Sequence, residues 1–269
     1  MDLFSILTLG LVQGITEWVP ISSKTQDAFV YLNFFHGDPS LVVPILLYLH
    51  IGTVLAATIY FRKEILELIK AVLQKPTALK EHSNSTTGFL FTSLLFTGVI
   101  GVPLLLLEKL FFPTLDGSML LALMGAGLLL TGFLLLGQKN AKARPASSVT
   151  WADGILTGVL QGLSVLPGVS RSGTSTTGLI WRGFDSESSF HLSFLLSIPT
   201  VVFAELVFYI GGGLAAFPIS EGFLLALSSF FFGYLTLGTL LKIVRRVNLS
   251  YVAFVLGALM LVAAFLHAG

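Results

Sequence analysis

The sequence predicts an all-α polytopic membrane protein: an inverted-topology repeat with six transmembrane helices and two re-entrant helical hairpins that meet near the midplane. Hydrophobic residues make up 54% of the chain and charged residues only 11%, whereas an ordinary soluble domain carries about 25% charged residues. The mean hydropathy is +0.89. Two apolar segments are broken by proline beside hydroxyl residues, and the chain matches itself at a shift of 148 residues. These observations together predict the fold.

The motifs of the two halves of the sequence align without a gap. Gln13–Thr16 aligns with Gln161–Ser164, and Ser22 aligns with Ser170. The second half holds a valine where the first half holds Glu17. Two halves related in this way predict one site at their junction, to which each half contributes different charges.

The first half, residues 1–137, begins with two segments that are too short to cross a bilayer, which takes about 20 apolar residues. We predict that they form a re-entrant hairpin broken at Pro20, because irregular backbone at that depth survives only beside protein or a wet cavity. An amphipathic interfacial helix is predicted from Arg62 to Lys80, ending near Pro76. The half-helices are 2–19 and 24–35, the spans are 41–61, 88–111 and 118–137, and the last two spans connect around Pro113 and Asp116.

Residues 138–149 form a polar, basic linker that is predicted to be cytoplasmic, and residues 150–269 repeat the order of the first half within one integrated membrane domain. Because each half contains three crossings, an odd number, the halves must enter the membrane from opposite faces. The second hairpin is predicted from Thr150 to Leu166 and onward to about Gly183, followed by spans at 188–211, 220–241 and 250–267.

The basic residues predict the orientation. Of the 15 Lys and Arg residues, 12 fall in loops on one face, which the positive-inside rule makes cytoplasmic. Both termini are then outside the cell membrane, and the first hairpin opens to the external face. No block of like charge suggests a nucleic acid partner. The 12 residues are Arg62, Lys63, Lys70, Lys75, Lys80, Lys139, Lys142, Arg144, Arg182, Lys242, Arg245 and Arg246.

The second hairpin break predicts an anion site. Pro167 and Gly168 end the preceding helix, and Ser170 can cap a new helix whose first N–H groups lack internal partners. The planar guanidinium of Arg171 suits a phosphate. The first break offers a similar set, in which a pair of hydroxyls is followed by Lys24. A Ser/Thr-rich turn with a snorkelling arginine is the alternative interpretation.

The two motifs together resemble the undecaprenyl-diphosphate phosphatase family of integral membrane enzymes. That family has an acidic or amide residue four positions before a glutamate, then Pro-x-Ser-Ser, and later Pro-Gly-x-Ser-Arg-Ser. The resemblance covers essentially the whole chain. It implies removal of one phosphate from a polyprenyl diphosphate, which recycles a lipid carrier. The matching residues here are Gln13, Glu17, Pro20, Ser22, Ser23, Pro167, Gly168, Ser170, Arg171 and Ser172.

Two positions depart from the family pattern. Where the family has Thr-Gly-His after the paired serines, this chain has Lys24-Thr25-Gln26, and an amide cannot take up a proton at neutral pH. The family's later threonine is Ser175 here. The identity of the catalytic base therefore stays open, and the remaining candidates for this role are Glu17, Asp27, His50 and His191.

Hydrolysis of a diphosphate depends on holding negative charge, so we predict catalytic roles for Glu17, Ser23 and Arg171. The nucleophile is Ser23 by the resemblance, or a water, and Glu17 can activate either. Gln13 lies one helical turn before Glu17, and we predict that the two bind Mg²⁺ or Ca²⁺. The predicted phosphate-binding residues are Ser22, Lys24, Thr25, Gln26, Ser170, Ser172, Gly173, Thr174 and Ser175.

A second functional class fits the same architecture. Inverted repeats with broken helices are typical of secondary transporters, so a polyprenyl-phosphate flippase or an anion transporter is the alternative. A phosphohistidine phosphatase is disfavoured because no histidine adjoins either motif. The expected partners are a polyprenyl diphosphate substrate and membrane lipids, and the sequence leaves room for a homodimer.

Overall fold

The computed structural model describes residues 1–74, 86–111, 117–136, 143–210, 217–244 and 247–267. These ranges contain eleven α-helices and an isolated backbone bridge between Arg144 and Phe184. The helices are α1 (Leu3–Thr16), α2 (Ser23–Asn33), α3 (Val42–Tyr60), α4 (Arg62–Gln74), α5 (Thr86–Phe111), α6 (Gly117–Leu135), α7 (Trp151–Gly162), α8 (Arg171–Trp181), α9 (Ser186–Ile210), α10 (Ile219–Val244) and α11 (Ser250–His267).

Five of the described helices, α3, α5, α6, α9 and α10, are long and apolar enough to cross a membrane. The predicted sixth span coincides with α11, whose apolar part Ser250–Leu266 is shorter than the other five. These helices confirm the prediction of an all-α polytopic membrane protein.

The amphipathic helix predicted from Arg62 is α4. Its predicted continuation to Lys80, the connection at 112–116 and the linker residues 137–142 lie outside the described residues.

The segments predicted to form the two hairpins are pairs of short helices, α1 with α2 and α7 with α8, and their re-entry into the membrane stays a prediction. Their tips differ in backbone conformation. Ser22 precedes α2 with a left-handed φ of 60°, whereas its repeat equivalent Ser170 is extended and caps α8 by accepting the Gly173 N–H at 3.2 Å. The second tip instead places its left-handed residue at Gly168, with φ +79°, where the backbone packs directly against that of Met124.

The first helix of each hairpin packs on a long helix from the other half of the chain. Helix α1 packs along α10 and helix α7 packs along α5, while α6 pairs with α11. Glycines permit the close approach, as expected where helices associate through small residues. A Cβ on Gly14 would lie 2.6 Å from Gly233 N, and one on its equivalent, Gly162, would lie 2.6 Å from Ile100 Cβ. Opposite insertion of the halves, and the division at 137–150, stay predictions.

Both hairpins are enclosed by the long helices. Trp18 at the first tip packs edge-on against Phe194 of α9 and donates its indole N–H to Gly233 O of α10 at 3.2 Å. Large apolar side chains such as Phe231 and Phe265 cover the outside. The tips are thereby held inside the protein, where their polar groups can form a site.

Candidate active site

The first hairpin places a carboxylate and a serine in direct contact. Glu17 follows α1 and Ser23 begins α2, and both side chains are buried. Ser23 Oγ donates a hydrogen bond to Glu17 Oε2 at 2.6 Å. Gln13, one turn earlier on α1, donates its amide N–H to the same oxygen at 3.2 Å. The carboxylate can therefore accept the serine proton.

The second hairpin brings Arg171 to that carboxylate. Arg171 is the first residue of α8, and its Nη2 donates to Glu17 Oε1 in an ion pair. The tip is fixed by Ser170, whose N–H donates to Thr131 Oγ1 of α6 at 3.0 Å. Arg171 Nη1 is buried and has no hydrogen-bond partner among the described residues. One half of the guanidinium thus binds Glu17, and the other half is left for a ligand.

His50 of α3 completes this cluster. Its Nε2 lies 3.5 Å from Glu17 Oε2, and its Nδ1 lies 2.6 Å from the Leu46 carbonyl oxygen. Because a carbonyl oxygen only accepts hydrogen bonds, Nδ1 carries a proton and Nε2 faces Glu17. The sequence offered His50 only as one of several candidates for the missing base.

The cluster lines a cavity of about 210 Å³. Eight of the side chains named above or predicted for the site line this cavity, and the remaining wall is largely apolar. Such a cavity fits a ligand with a charged head and an oily tail. The polar residues are Glu17, Ser22, Ser23, Lys24, His50, Ser170, Arg171 and Ser172, and the apolar wall includes Val43, Leu46, Leu94, Val102, Leu105, Phe203 and Val207.

Several residues predicted to bind phosphate do not line this cavity, namely Thr25, Gln26, Gly173, Thr174 and Ser175. Gln26 Nε2 donates to the Ile21 carbonyl oxygen at 3.1 Å. The hydroxyls of Thr174 and Ser175 both donate to the Arg171 carbonyl oxygen. These side chains stabilise the tips, and their predicted contact with phosphate stays a prediction.

The predicted cation site has a partial set of ligands. No group of three or more His, Cys, Asp or Glu side chains is arranged for a metal in the described ranges. Gln13 Oε1, however, is buried without a hydrogen-bond partner there, next to the Glu17 carboxylate. Rotation of the amide would turn this oxygen toward Glu17. Magnesium commonly uses one or two protein oxygens and completes its shell with phosphate and water, so the two residues fit such an ion.

Two further polar residues of the cavity have no role in the site predicted from the sequence. Gln161, the repeat equivalent of Gln13, donates to Thr97 Oγ1 at 2.9 Å and to Thr200 Oγ1 at 3.0 Å. The repeat itself is the signal that could have identified it, since Gln13 makes the analogous bond to Thr53 Oγ1. Glu205 of α9 also lines the cavity. An acid within an apolar span is itself a sequence signal for such a position, although it does not indicate a catalytic role.

Comparison with known proteins identifies the family of the chain. Residues 6–262 match the family described as "Bacitracin resistance protein BacA". The undecaprenyl-diphosphatase of Methanococcoides burtonii is 35% identical over 275 residues, covering 99% of this chain and 100% of the relative. That of Haloarcula marismortui is 35% identical over 265 residues, covering 97% of each. That of Sulfurisphaera tokodaii is 30% identical over 99% of this chain and 98% of its own. The chain therefore belongs to the bacitracin resistance protein BacA family.

Proposed function

We propose that this protein is an integral membrane phosphatase. It hydrolyses a polyprenyl diphosphate of the undecaprenyl type to the monophosphate and inorganic phosphate, which recycles the lipid carrier for cell-envelope glycan synthesis. The observation that supports this most directly is the contact of Ser23, Glu17 and Arg171 inside one cavity with apolar walls. Relatives carrying the name undecaprenyl-diphosphatase match almost the full chain.

Ser23 is the proposed nucleophile. As Oγ attacks the terminal phosphorus, its proton passes to Glu17 Oε2 along the existing 2.6 Å hydrogen bond. The bond between that phosphorus and the bridging oxygen breaks, and the lipid monophosphate leaves. Water then attacks the phosphoserine, and the bond between phosphorus and Ser23 Oγ breaks. The proton that the water loses passes by way of Glu17 to Oγ, which releases inorganic phosphate and regenerates the serine.

Arg171 is the proposed anchor for the transferring phosphate. Its Nη1 has no hydrogen-bond partner among the described residues and is already oriented by the ion pair with Glu17. A fixed donor beside the reacting phosphate stabilises charge without reorganisation during the reaction. Lys24 and the hydroxyls of Ser170 and Ser172 line the same cavity and add further donors.

His50 is the proposed proton acceptor in place of the family's motif histidine. Glu17 must pass on the proton that it receives, and His50 Nε2 is the nearest ring nitrogen, 3.5 Å from Glu17 Oε2. Gln26, which occupies the motif position, bonds to the backbone instead. The ring therefore connects the carboxylate to the cavity.

A divalent cation is part of the proposal. Gln13 and Glu17 would hold Mg²⁺ or Ca²⁺ together with oxygens of the substrate, and the ion would neutralise charge on the phosphates. In the structure Gln13 Nε2 donates to Thr53 and to Glu17, and these bonds hold the amide beside the carboxylate, within reach of such an ion after rotation of the amide.

The cavity is proposed to open toward the external face of the cell membrane. Its apolar wall uses the start of α3 and the ends of α5 and α9, through Val43, Leu105 and Val207. The opposite ends of these helices adjoin the basic loops, which we place in the cytoplasm. A homodimer stays a prediction.

The test is phosphate release from a polyprenyl diphosphate by the detergent-solubilised protein. Ser23→Ala and Arg171→Ala should each lower kcat at least about 100-fold, because each removes a group that acts on the reacting phosphate. Ser220→Ala, which changes an exposed hydroxyl at the start of α10, should leave the rate unchanged.

Excess chelator should abolish activity. Full activity in the presence of chelator would contradict the proposed role of a divalent cation. Absence of release by the intact protein would favour transport.

A further inference from the structure

Helix α6 contacts the second hairpin tip, although none of its described residues lines the cavity. A Cβ on Gly127 would overlap the Pro167 carbonyl oxygen, and a Cβ on Gly168 would overlap the Met124 carbonyl oxygen. The backbones of α6 and the tip are therefore in direct contact. Thr131, one turn after Gly127 on α6, is fully buried and contacts the next residues of the tip.

The hydroxyl of Thr131 holds the backbone of Ser170, the residue before Arg171. It donates its proton to the Gly127 carbonyl oxygen at 3.0 Å, and the lone pairs of Oγ1 are left to accept the Ser170 N–H, also at 3.0 Å. Ser170 in turn caps α8 by accepting the Gly173 N–H. Thr131 therefore fixes the backbone from which the Arg171 side chain extends.

We propose that Thr131 is a positioning residue for Arg171. The guanidinium binds Glu17 through Nη2, while its Nη1 is buried and has no hydrogen-bond partner among the described residues. Nη1 is aimed at a bound phosphate only if the arginine backbone stays in place, because a small misplacement of an acting group lowers a rate strongly. The inference rests on the proposed function in taking Arg171 as the phosphate anchor.

Thr157 of α7 provides a matched control for Thr131. Both threonines are fully buried, and both donate their hydroxyl proton to the carbonyl oxygen four residues earlier in their own helix. Both also pack on a glycine of α8. A Cβ on Gly173 would lie 2.9 Å from Thr131 Cγ2, and a Cβ on Gly178 would lie 2.9 Å from Thr157 Cα. In the described part of the chain, only Thr131 of the two accepts a backbone N–H from the hairpin tip.

The test compares valine variants of the two threonines, since valine keeps the shape of threonine but has no hydroxyl. Binding of inorganic phosphate to the purified full-length protein is measured by isothermal titration calorimetry. Thr131→Val should weaken this binding about tenfold, and lower kcat for phosphate release by a similar factor, because Arg171 is misplaced. Thr131→Ala should have the same effect. Thr157→Val, which loses a hydroxyl bond within its own helix, should leave both quantities unchanged.

Two further comparisons separate positioning from a general loss of stability. Thr131→Ser keeps a hydroxyl that can accept the Ser170 N–H, and it should bind phosphate as the unsubstituted protein does. In an Arg171→Ala background, Thr131→Val should lower the residual kcat per folded protein by less than about twofold, because residues that act through one another are not additive.

Equal weakening of phosphate binding in Thr131→Val and Thr157→Val would overturn the inference. A tenfold loss in Thr131→Ser, an undiminished effect of Thr131→Val beside Arg171→Ala, or no phosphate binding by the unsubstituted protein would overturn it as well. Binding needs no turnover. An unsubstituted protein that binds phosphate with this dependence on Thr131, but releases none from lipid, would therefore contradict only the proposed function.

Discussion

Glu17 is the residue on which the site depends. It accepts hydrogen bonds from Gln13 and Ser23 within its own hairpin, pairs with Arg171 of the other half and faces His50 of α3. A buried charge that loses its partner is strongly destabilising. Substitution of either Glu17 or Arg171 is therefore expected to reduce folded protein as well as activity, and the amount of folded protein must be measured beside the rate.

The proposed role of His50 leads to the first prediction. His50→Gln keeps the size and a hydrogen-bond donor but cannot take up a proton. We expect kcat for phosphate release to fall about 100-fold with little change in KM, the usual effect of losing a general base.

His191→Gln is the matched control for His50. The His191 ring bonds to Glu64 at 3.0 Å and packs on Phe61, and His191 does not line the cavity. The rate of phosphate release by the His191→Gln variant should equal that of the unsubstituted protein. Equal losses in the two variants would show that His50 has no special part in the reaction.

At the scale of elements, Asp153 connects the start of α7 to the neighbouring loops through hydrogen bonds. Its carboxylate accepts hydrogen bonds from Arg144, Arg182 and the Thr150 N–H at 2.6–2.8 Å. Burial raises the pKa of Asp153, but the bonds from Arg144, Arg182 and Thr150 outweigh it, and the pKa lies below its usual value of 3.8. This cluster connects the second hairpin to residues 143–149.

The second prediction concerns the pH dependence of stability. A carboxyl group whose pKa is lowered by folding stabilises the folded state fully above its unfolded pKa, and this contribution is lost as the pH falls through the folded pKa. The melting temperature in detergent should therefore fall as the pH is lowered below about 3.8.

Asp153→Asn removes this source of acid sensitivity. At neutral pH it should lower the melting temperature and reduce the free energy of unfolding by about 2 kcal/mol, because hydrogen bonds to a charged group are lost. The melting temperature of this variant should also depend less on pH in the acid range. Glu67→Asn, on the exposed face of α4, is the control. Parallel pH curves for Asp153→Asn and the unsubstituted protein would contradict the prediction.

At the scale of the whole molecule, the exchange of partners between halves creates the cavity. Because α1 packs on α10 and α7 packs on α5, each hairpin is supported by a long helix from the opposite half. The two tips are consequently brought together, and Glu17 and Arg171 meet although 154 residues separate them.

The third prediction is the orientation in the membrane. Six crossings with two re-entrant hairpins place both termini on the same side, and the basic loops place that side outside the cell. Reporter fusions at the two ends should both give external signals, and a fusion within residues 75–85 should give a cytoplasmic one. Ends on opposite sides would contradict the inverted repeat.

Much of the fold could be predicted because membrane helices are encoded locally. Runs of apolar residues and proline breaks gave the helices to within a few residues, for example α9 at Ser186–Ile210 against the predicted 188–211. The repeat indicated that Glu17 and Arg171 would meet. Both signals are contained in short stretches of sequence, or in their comparison with one another, and need no knowledge of how helices pack.

The neighbours of the two motifs were decided by tertiary structure alone. Composition could not distinguish His50, which faces Glu17, from His191, which bonds to Glu64. Glu205 reaches the cavity only through the way α9 packs beside α3. An apolar span has little amphipathic pattern to show which face is inward, because lipid and protein interior are both apolar. The sequence by itself determined the helices, the internal repeat and the two motifs that supply Glu17 and Arg171, and packing decided that these two residues pair and which other polar side chains share their cavity.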